Sequence, residues 1–362
     1  MKRLISILVA LSAWGIAIGQ PSVRIAHGPY LQQVTDDGFT VVWTTTINAA
    51  SWVEVAPDDG SHFYAAERPK YYDSHIGKRR IGRLHRVRVE GLAPGTTYRY
   101  RIMQQGVLCD EGNKRVVLGE GYGSDILKHK PYTATTLDEK KDQTEFWVVN
   151  DIHAQDSIFR LLLEGAEKAK PDFVCFNGDM LTSMESEKQL FEGYLNSAAE
   201  LLTPAGIPIF ATRGNHENRG SFSPSFLDYF PTSTGEVYYT FRQGPAYFVL
   251  LDCGEPHRLG DDLAAALEGR FAGTAIVNID HHLGSDGMGT VDNWIEPAAA
   301  ATAQLAAYVC LAAGLRPEGP LGESLALGLV TDTGGFLHGG AVRGLHLNGT
   351  DAEQHPLSIA AI

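Results

Sequence analysis

Residues 146–153 read Phe-Trp-Val-Val-Asn-Asp-Ile-His, an apolar strand-like run that ends in a carboxylate and an imidazole. The pattern returns at 173–179, which reads Phe-Val-Cys-Phe-Asn-Gly-Asp, and at 207–217, where Ile-Pro-Ile-Phe-Ala comes before Gly-Asn-His-Glu. Apolar residues at helical spacing near 157–170 and 185–202 separate the three runs. Strands that alternate with helices predict a layered α/β domain whose site lies at the carboxyl ends of its strands.

Polar side chains follow each of these three strands. Asp151 and His153 follow the first, Asp179 follows the second, and Asn215 and His216 follow the third. Carboxylate and amide oxygens together with imidazole nitrogens suit Mn, Fe or Zn. Asp179 is placed to bridge a pair of metal ions that activate water and clamp a phosphoryl group. His216 could then protonate the leaving oxygen.

Length and composition point to a soluble globular protein. The chain has 362 residues, of which 44% are hydrophobic and 20% charged, so two or three domains are expected. These proportions exclude collagen-like, coiled-coil and polytopic membrane proteins. The net charge of -13 argues against an extended nucleic-acid partner, because such binding neutralises many phosphates with basic residues. A small phosphate-ester substrate would need local cations, most simply metal ions.

The amino terminus predicts export. Residues 1–19 form a signal peptide, with Lys2 and Arg3 before an apolar run and a small-residue cleavage site before Gln20. We therefore expect a secreted or periplasmic protein with no membrane contact beyond export. An N-terminal membrane anchor is the alternative, for which the apolar run is short.

Cysteine spacing does not suggest a metal or redox motif. None of the four cysteines forms a C-x-x-C pair. Cys175 and Cys253 lie in apolar strand-like runs and are predicted to be buried free thiols.

The front of the chain has a different pattern. Between residues 21 and 137, short alternating stretches such as 40–44, 52–55 and 85–89 are separated by turn residues, which predicts a β-sandwich. Tyr98 follows a turn and is placed to form a tyrosine-corner hydrogen bond to nearby backbone. This segment resembles a fibronectin type III-like domain and is interpreted as a scaffold.

The three strand-end motifs and the front domain together resemble the calcineurin-like metallophosphoesterases, and among them the secreted enzymes related to purple acid phosphatases. The resemblance covers residues 21–254 and implies a metallophosphoesterase core at 144–254. It also implies a pair of divalent or trivalent metal ions. Asp151 and His153 would bind the first, Asp179 would bridge, Asn215 would bind the second, and His216 would be the catalytic acid.

Two parts of that family's pattern are missing. Residues 178–183 lack the tyrosine ligand of purple acid phosphatases, and the later sequence has no G-H-x-H element, so the core is predicted to be incomplete. The histidines that remain as replacement ligands are His281, His282, His338 and His346.

A second set of motifs begins near the same point. Asp-His-His ends a strand predicted at 274–279, Asp332 lies in a turn of small residues, and Asp252 follows an apolar strand. Residues 246–337 thereby resemble the DHH phosphoesterases, which implies manganese ligands at Asp252, His281 and Asp332, with His282 facing the substrate. The opening motif and the glycine-rich substrate domain of that family are absent. This α/β segment is also predicted to be incomplete, and residues 338–362 form a tail.

Three functions follow from these motifs. The first is a secreted or periplasmic phosphoesterase that hydrolyses phosphate monoesters or diesters with water activated at a dinuclear metal site. The second is a DHH-type, manganese-dependent nano-RNase or nucleotide phosphatase. The third is a catalytically silent hybrid of two incomplete phosphoesterases.

Overall fold

The structure is a computed structural model that describes residues 22–250 continuously. After these it describes residues 273, 277–280, 287, 289–299, 301–316, 318–319, 321–322, 325–326 and 329. The predicted signal peptide, Cys253, the predicted tail and the DHH-type residues Asp252, His281, His282 and Asp332 lie outside the described residues.

The front domain consists of strands. They are β1 Ile25–Gln32, β2 Phe39–Pro57, β3 Lys70–Tyr72, β4 Ser74–His75, β5 Lys78–Arg79, β6 Gly82–Val89, β7 Thr97–Asp110, β8 Val116–Gly123 and β9 Tyr132–Thr135.

The chain after residue 145 contains both strands and helices. The strands are β10 Phe146–Val149, β11 Phe173–Asn177, β12 Ile209–Thr212, β13 Tyr239–Gln243, β14 Ala246–Leu250, β15 Val277–Asp280 and β16 Asp292–Ile295. The α-helices are α1 Asp156–Leu163, α2 Ala166–Ala169, α3 Glu187–Leu190, α4 Asn196–Leu202, α5 Phe226–Tyr229 and α6 Thr302–Ala312, and a π-helical turn spans Phe191–Leu195.

The long strand β2 belongs to both layers of the front domain. Its first part pairs with β1 and β6, its second part pairs with β3 and β7, and Ala49 is paired on both sides of the change. The two parts face each other across one core, where the rings of Phe39 and Tyr100 lie 5.6 Å apart. The β-rich front domain is therefore confirmed, but the separate strands expected at 40–44 and 52–55 are one strand.

The hydrogen bond predicted for Tyr98 is confirmed. Its hydroxyl oxygen accepts a hydrogen bond from the backbone N–H of Ala93 at 3.0 Å. This bond ties the start of β7 to the turn before it.

Strands β10, β11 and β12 form a parallel sheet in that order. Alternate residues of β11 pack on opposite faces of the sheet, as expected for a parallel strand that is covered on both sides. Val174 and Phe176 pack with the helical layer, whereas Phe173 and Cys175 contribute to the cluster that contains Phe210 and residues of the front domain. The α/β prediction is confirmed for this sheet.

The apolar strand expected just before Asp252 is β14, and it pairs antiparallel with β13 rather than with the parallel sheet. The β13–β14 hairpin covers one face of that sheet through stacked and edge-on aromatic rings. Phe210 and Phe241 have ring centroids 4.0 Å apart, and Phe173 meets Phe248 at 5.1 Å.

Cys175 is confirmed as a buried free thiol. Burial raises the pKa of its thiol to about 12, because the thiolate would lose its hydration.

Both long helices predicted from periodicity are interrupted. The segment at 157–170 splits at Gly165, which has a φ of +92°, and the segment at 185–202 contains the π-helical turn between α3 and α4. Gly193 in that turn approaches the site loops closely, since a Cβ atom there would lie 2.8 Å from a methyl carbon of Leu181. The interruption therefore lets the helical layer approach the strand ends.

The front domain packs directly on the α/β core. Tyr30 and Val42 belong to the same buried cluster as Phe176. The Tyr30 hydroxyl donates to the Tyr229 carbonyl at 2.9 Å, and Arg86 forms an ion pair with Asp228 at 2.7 Å. This packing agrees with a scaffold role for the front domain.

Strand β15 agrees with the strand expected at 274–279, and helix α6 follows it in the chain. Strand β15 pairs parallel with β16, and α6 ends just before Gly314, which has a φ of +77°. In the described part of the chain, no helix is both long and apolar enough to cross a membrane.

Candidate metal centre

The loops after β10 and β11 are joined by backbone hydrogen bonds beyond the ends of the strands. The Asp151 N–H donates to the Gly178 carbonyl at 3.2 Å, and the His153 N–H donates to the Asp179 carbonyl at 3.1 Å. Ala154 continues the series with a bond of 2.9 Å to Met180. These bonds hold the first two predicted motifs beside each other.

The site loops have an unusual backbone. Four of the seven non-glycine residues with positive φ in the described chain lie here, namely Asp151 (57°), His153 (49°), Ala154 (62°) and Asp179 (53°). The left-handed region disfavours residues with a Cβ atom and persists where surrounding contacts impose it. Tight turns of this kind keep these residues at the sheet edge.

Two predicted ligands and the predicted catalytic acid meet at this edge. His153, Asp179 and His216 each offer a ligand atom, and these atoms all lie within 4.8 Å of one another. The two imidazole rings meet edge to face, with centroids 4.6 Å apart. Asp151 lies beside them, with a carboxylate oxygen 3.8 Å from His153 Nε2. Two imidazoles and carboxylates form a donor set that suits a transition metal or zinc.

The amide of Asn215 lies between Asp179 and Arg219. In the orientation that satisfies both neighbours, its nitrogen donates to the Asp179 carboxylate, at 2.9 Å from Oδ2 and 3.2 Å from Oδ1, and its oxygen accepts from a guanidinium nitrogen of Arg219 at 3.1 Å. These contacts place the predicted ligand Asn215 beside the carboxylate that is predicted to be shared.

His216 is held by two contacts. Its backbone N–H donates to Asp179 Oδ1 at 2.9 Å, and its Nδ1 lies 2.8 Å from the Thr182 carbonyl oxygen. Since a carbonyl only accepts hydrogen bonds, Nδ1 carries the proton in this contact. Nε2 is then the nitrogen that can bind a metal or carry a proton to a leaving group.

Glu217 joins the second and third loops. The residue ends the third motif, Gly-Asn-His-Glu, but its place in the sequence did not indicate this role. The side chain is 2% exposed and accepts backbone N–H bonds from Asp179 at 2.9 Å, Leu181 at 3.0 Å and Gly214 at 3.0 Å. Burial raises the pKa of this carboxyl, and the backbone N–H bonds oppose that shift. The residue helps to fix the backbone that carries Asp179.

All five residues predicted for the calcineurin-like metal centre therefore lie around one edge of the parallel sheet. They are Asp151, His153, Asp179, Asn215 and His216. The candidate replacement ligands His281, His282, His338 and His346 lie outside the described residues.

Glycine is required where the second and third loops touch. Gly178 has a φ of +83°, and a Cβ atom there would lie 2.7 Å from the Gly214 Cα atom. We expect Gly178→Ala to destabilise the fold by about 3 kcal/mol or more, since backbone strain and overpacking add. Gly165→Ala is the matched control, because Gly165 has a φ of +92° but nothing within 4 Å of such a Cβ atom. Chemical denaturation should show a clearly larger loss for Gly178→Ala; equal losses would mean that the close approach has no cost.

Comparison with known proteins agrees with this geometry. Residues 144–297 match the family model of the calcineurin-like phosphoesterases. Residues 28–115 match the purple acid phosphatase N-terminal domain. The chain is thus similar to metal-dependent phosphoesterases over its front domain and its α/β core.

The calcineurin-like match also covers residues 246–297, which the sequence analysis assigned to a DHH-like segment. Neither of the two family matches is to a DHH phosphoesterase. The hybrid architecture therefore stays a prediction without support.

No match was found among curated proteins. One solved structure with some likeness is the sensor domain of the anti-sigma factor RsgI4 in Pseudobacteroides cellulosolvens. The two sequences are 16% identical over the matched region, which spans 34% of this chain and 97% of the chain of that structure. The TM-score is 0.19.

Proposed function

We propose that the protein is an exported phosphoesterase that hydrolyses phosphate esters at a dinuclear metal centre. The observation that carries the proposal is the meeting of His153, Asp179 and His216 at the ends of three parallel strands. The two family matches support the metal-dependent phosphoesterase class. Export rests on the sequence of residues 1–19 alone.

Each site residue has a role in this proposal. Asp151 and His153 would hold one metal ion, Asn215 the other, and Asp179 would be shared between them. When bound, the metal ions supply Lewis-acid activation of water and neutralise charge on the phosphoryl group. The central place of Asp179 in this proposal is supported by its position, because its carboxylate lies near the ligand atoms of both His153 and His216 and beside the Asn215 amide.

His216 would supply the proton for the leaving alkoxide. Its Nδ1–H is occupied by the Thr182 carbonyl at 2.8 Å, which fixes the tautomer and ring orientation. Protonated Nε2 can then donate to the leaving oxygen as the phosphorus–oxygen bond breaks, and the neutral ring remains.

Removal and return of metal ions tests the function directly. We expect purified protein to hydrolyse a chromogenic phosphate monoester, to lose this activity after chelator treatment, and to regain it with Mn or Zn. Mg and Ca are the control metals and should restore less activity, because the imidazole-rich donor set suits them poorly. Activity that is unaffected by the chelator, or no turnover with any of these metals, would contradict the proposal.

A further inference from the structure

We propose that Arg219 binds the phosphoryl group of the substrate and makes the site selective for phosphate monoesters. This proposal rests on the proposed function. Arg219 lies outside the predicted ligand set and three residues after His216.

The backbone of Arg219 is anchored on both sides. Its N–H donates to the His216 carbonyl at 3.0 Å, and its own carbonyl accepts the N–H of Met184 at 2.8 Å. These bonds attach Arg219 to the loop that carries the third motif and to the segment that follows Asp179.

The guanidinium of Arg219 reaches the metal-site residues. One terminal nitrogen lies 3.4 Å from His216 Nδ1 and the other lies 3.1 Å from the Asn215 amide group. The residue is exposed, so a ligand in solution can reach it. Its positive charge therefore lies at the rim of the candidate metal centre.

This charge has no carboxylate partner among the residues that the structure describes, where none lies within 4.0 Å of the guanidinium. Other arginines of the chain, such as Arg86, Arg160 and Arg242, form ion pairs. A guanidinium without a carboxylate partner, beside a candidate phosphate site, is suited to an anionic ligand, since its planar fork matches two phosphate oxygens.

This arrangement favours monoesters over diesters. A phosphate monoester offers one more non-bridging oxygen and one more negative charge than a diester. A guanidinium beside the metal centre gains more from the additional charge and the additional acceptor. The substrate class that we infer is therefore the phosphate monoester.

Calorimetric titration of inorganic phosphate into the manganese-loaded protein tests this role. We expect Arg219→Gln to weaken phosphate binding about 10- to 100-fold, the range for loss of charge-assisted hydrogen bonds. Arg242→Gln is the matched control, because Arg242 is an exposed arginine whose ion pair with Glu139 lies on the β13–β14 hairpin and its adjoining loop. This control should bind phosphate as the wild type does.

Two further measurements distinguish phosphate binding by Arg219 from a role of this residue in holding the metal site together. Arg219→Gln should take up manganese as tightly as the wild type, and its preference for a chromogenic monoester over the matching diester, taken as a ratio of kcat/KM, should fall. Wild-type phosphate affinity in Arg219→Gln, an unchanged preference, or loss of metal uptake would each overturn the role of Arg219. If the wild type itself binds no metal, the proposed function fails as well; if it binds metal and hydrolyses esters, only the Arg219 proposal is at stake.

Discussion

The Asp179→Ala variant is expected to hydrolyse phosphate esters at least about 100-fold more slowly than the wild type, above the range for loss of groups that only support metal ligands. Asp179 offers the carboxylate that lies within 4.8 Å of the ligand atoms of both His153 and His216. It also lies beside the amide group of Asn215. Removing it takes away the negative charge that a metal ion shared in this site requires. The measurement is kcat/KM on a chromogenic monoester with saturating Mn.

The Asp179→Asn variant distinguishes the charge of this side chain from its structural role. Asparagine keeps an oxygen that can accept the His216 N–H, which Asp179 Oδ1 accepts at 2.9 Å, but it lacks the charge. We therefore expect it to fold normally and still lose most of the activity. Asp142→Asn, an exposed carboxylate in the linker, should leave the rate unchanged. A wild-type rate in Asp179→Asn would exclude Asp179 from the metal centre.

The largest effect on stability is expected at Glu217. Glu217→Leu leaves the N–H groups of Asp179, Leu181 and Gly214 without their acceptor, where the Glu217 side chain is buried. Each such loss costs about 1–3 kcal/mol, so the free energy of unfolding should fall by at least about 3 kcal/mol. Urea denaturation monitored by circular dichroism measures this difference.

Glu217→Gln should lie between leucine and the wild type. Oε2 of Glu217 accepts the Asp179 and Gly214 bonds and Oε1 accepts the Leu181 bond, so a glutamine oxygen at the Oε2 position loses only one of them. Glu192→Gln, at an exposed position, is the control and should be neutral. If Glu217→Leu proves as stable as Glu192→Gln, Glu217 does not hold the loops together.

The site residues could be predicted from sequence because each one is identified by its position shortly after a strand. Asp151, Asp179 and Asn215 each come shortly after an apolar strand, and parallel strands end at the same edge of their sheet. Position after a strand was enough to place them together.

The residues that support the site could not be predicted in this way. Glu217 is bonded to Asp179 and Leu181, which are 38 and 36 positions away in the chain, and no periodic pattern encodes that contact. The left-handed backbone at Asp151 and His153 is uncommon for residues with a Cβ atom, and hydrogen bonds to the neighbouring loop hold it in place. Such features become visible only once the three strands are aligned.

Local signals also misled the prediction of individual elements. Thr46 and Asn48 are polar and exposed and so favour a break between two strands, yet β2 runs through them and changes partners there. Gly165 ends α1 although the apolar spacing continues beyond it, because its left-handed backbone is incompatible with a helix. In both cases chain geometry overrode the pattern of polar and apolar residues.

The most direct test of the shared metal site is calorimetric titration of Mn or Zn into protein first treated with a chelator. The wild type should take up metal tightly, and so should His129→Ala, which removes an exposed histidine of the front domain. We predict that His153→Ala weakens this uptake by at least about 10-fold, as expected when one ligand of the set is removed. Equal uptake by the wild type, His129→Ala and His153→Ala would contradict a metal centre at the ends of these three strands.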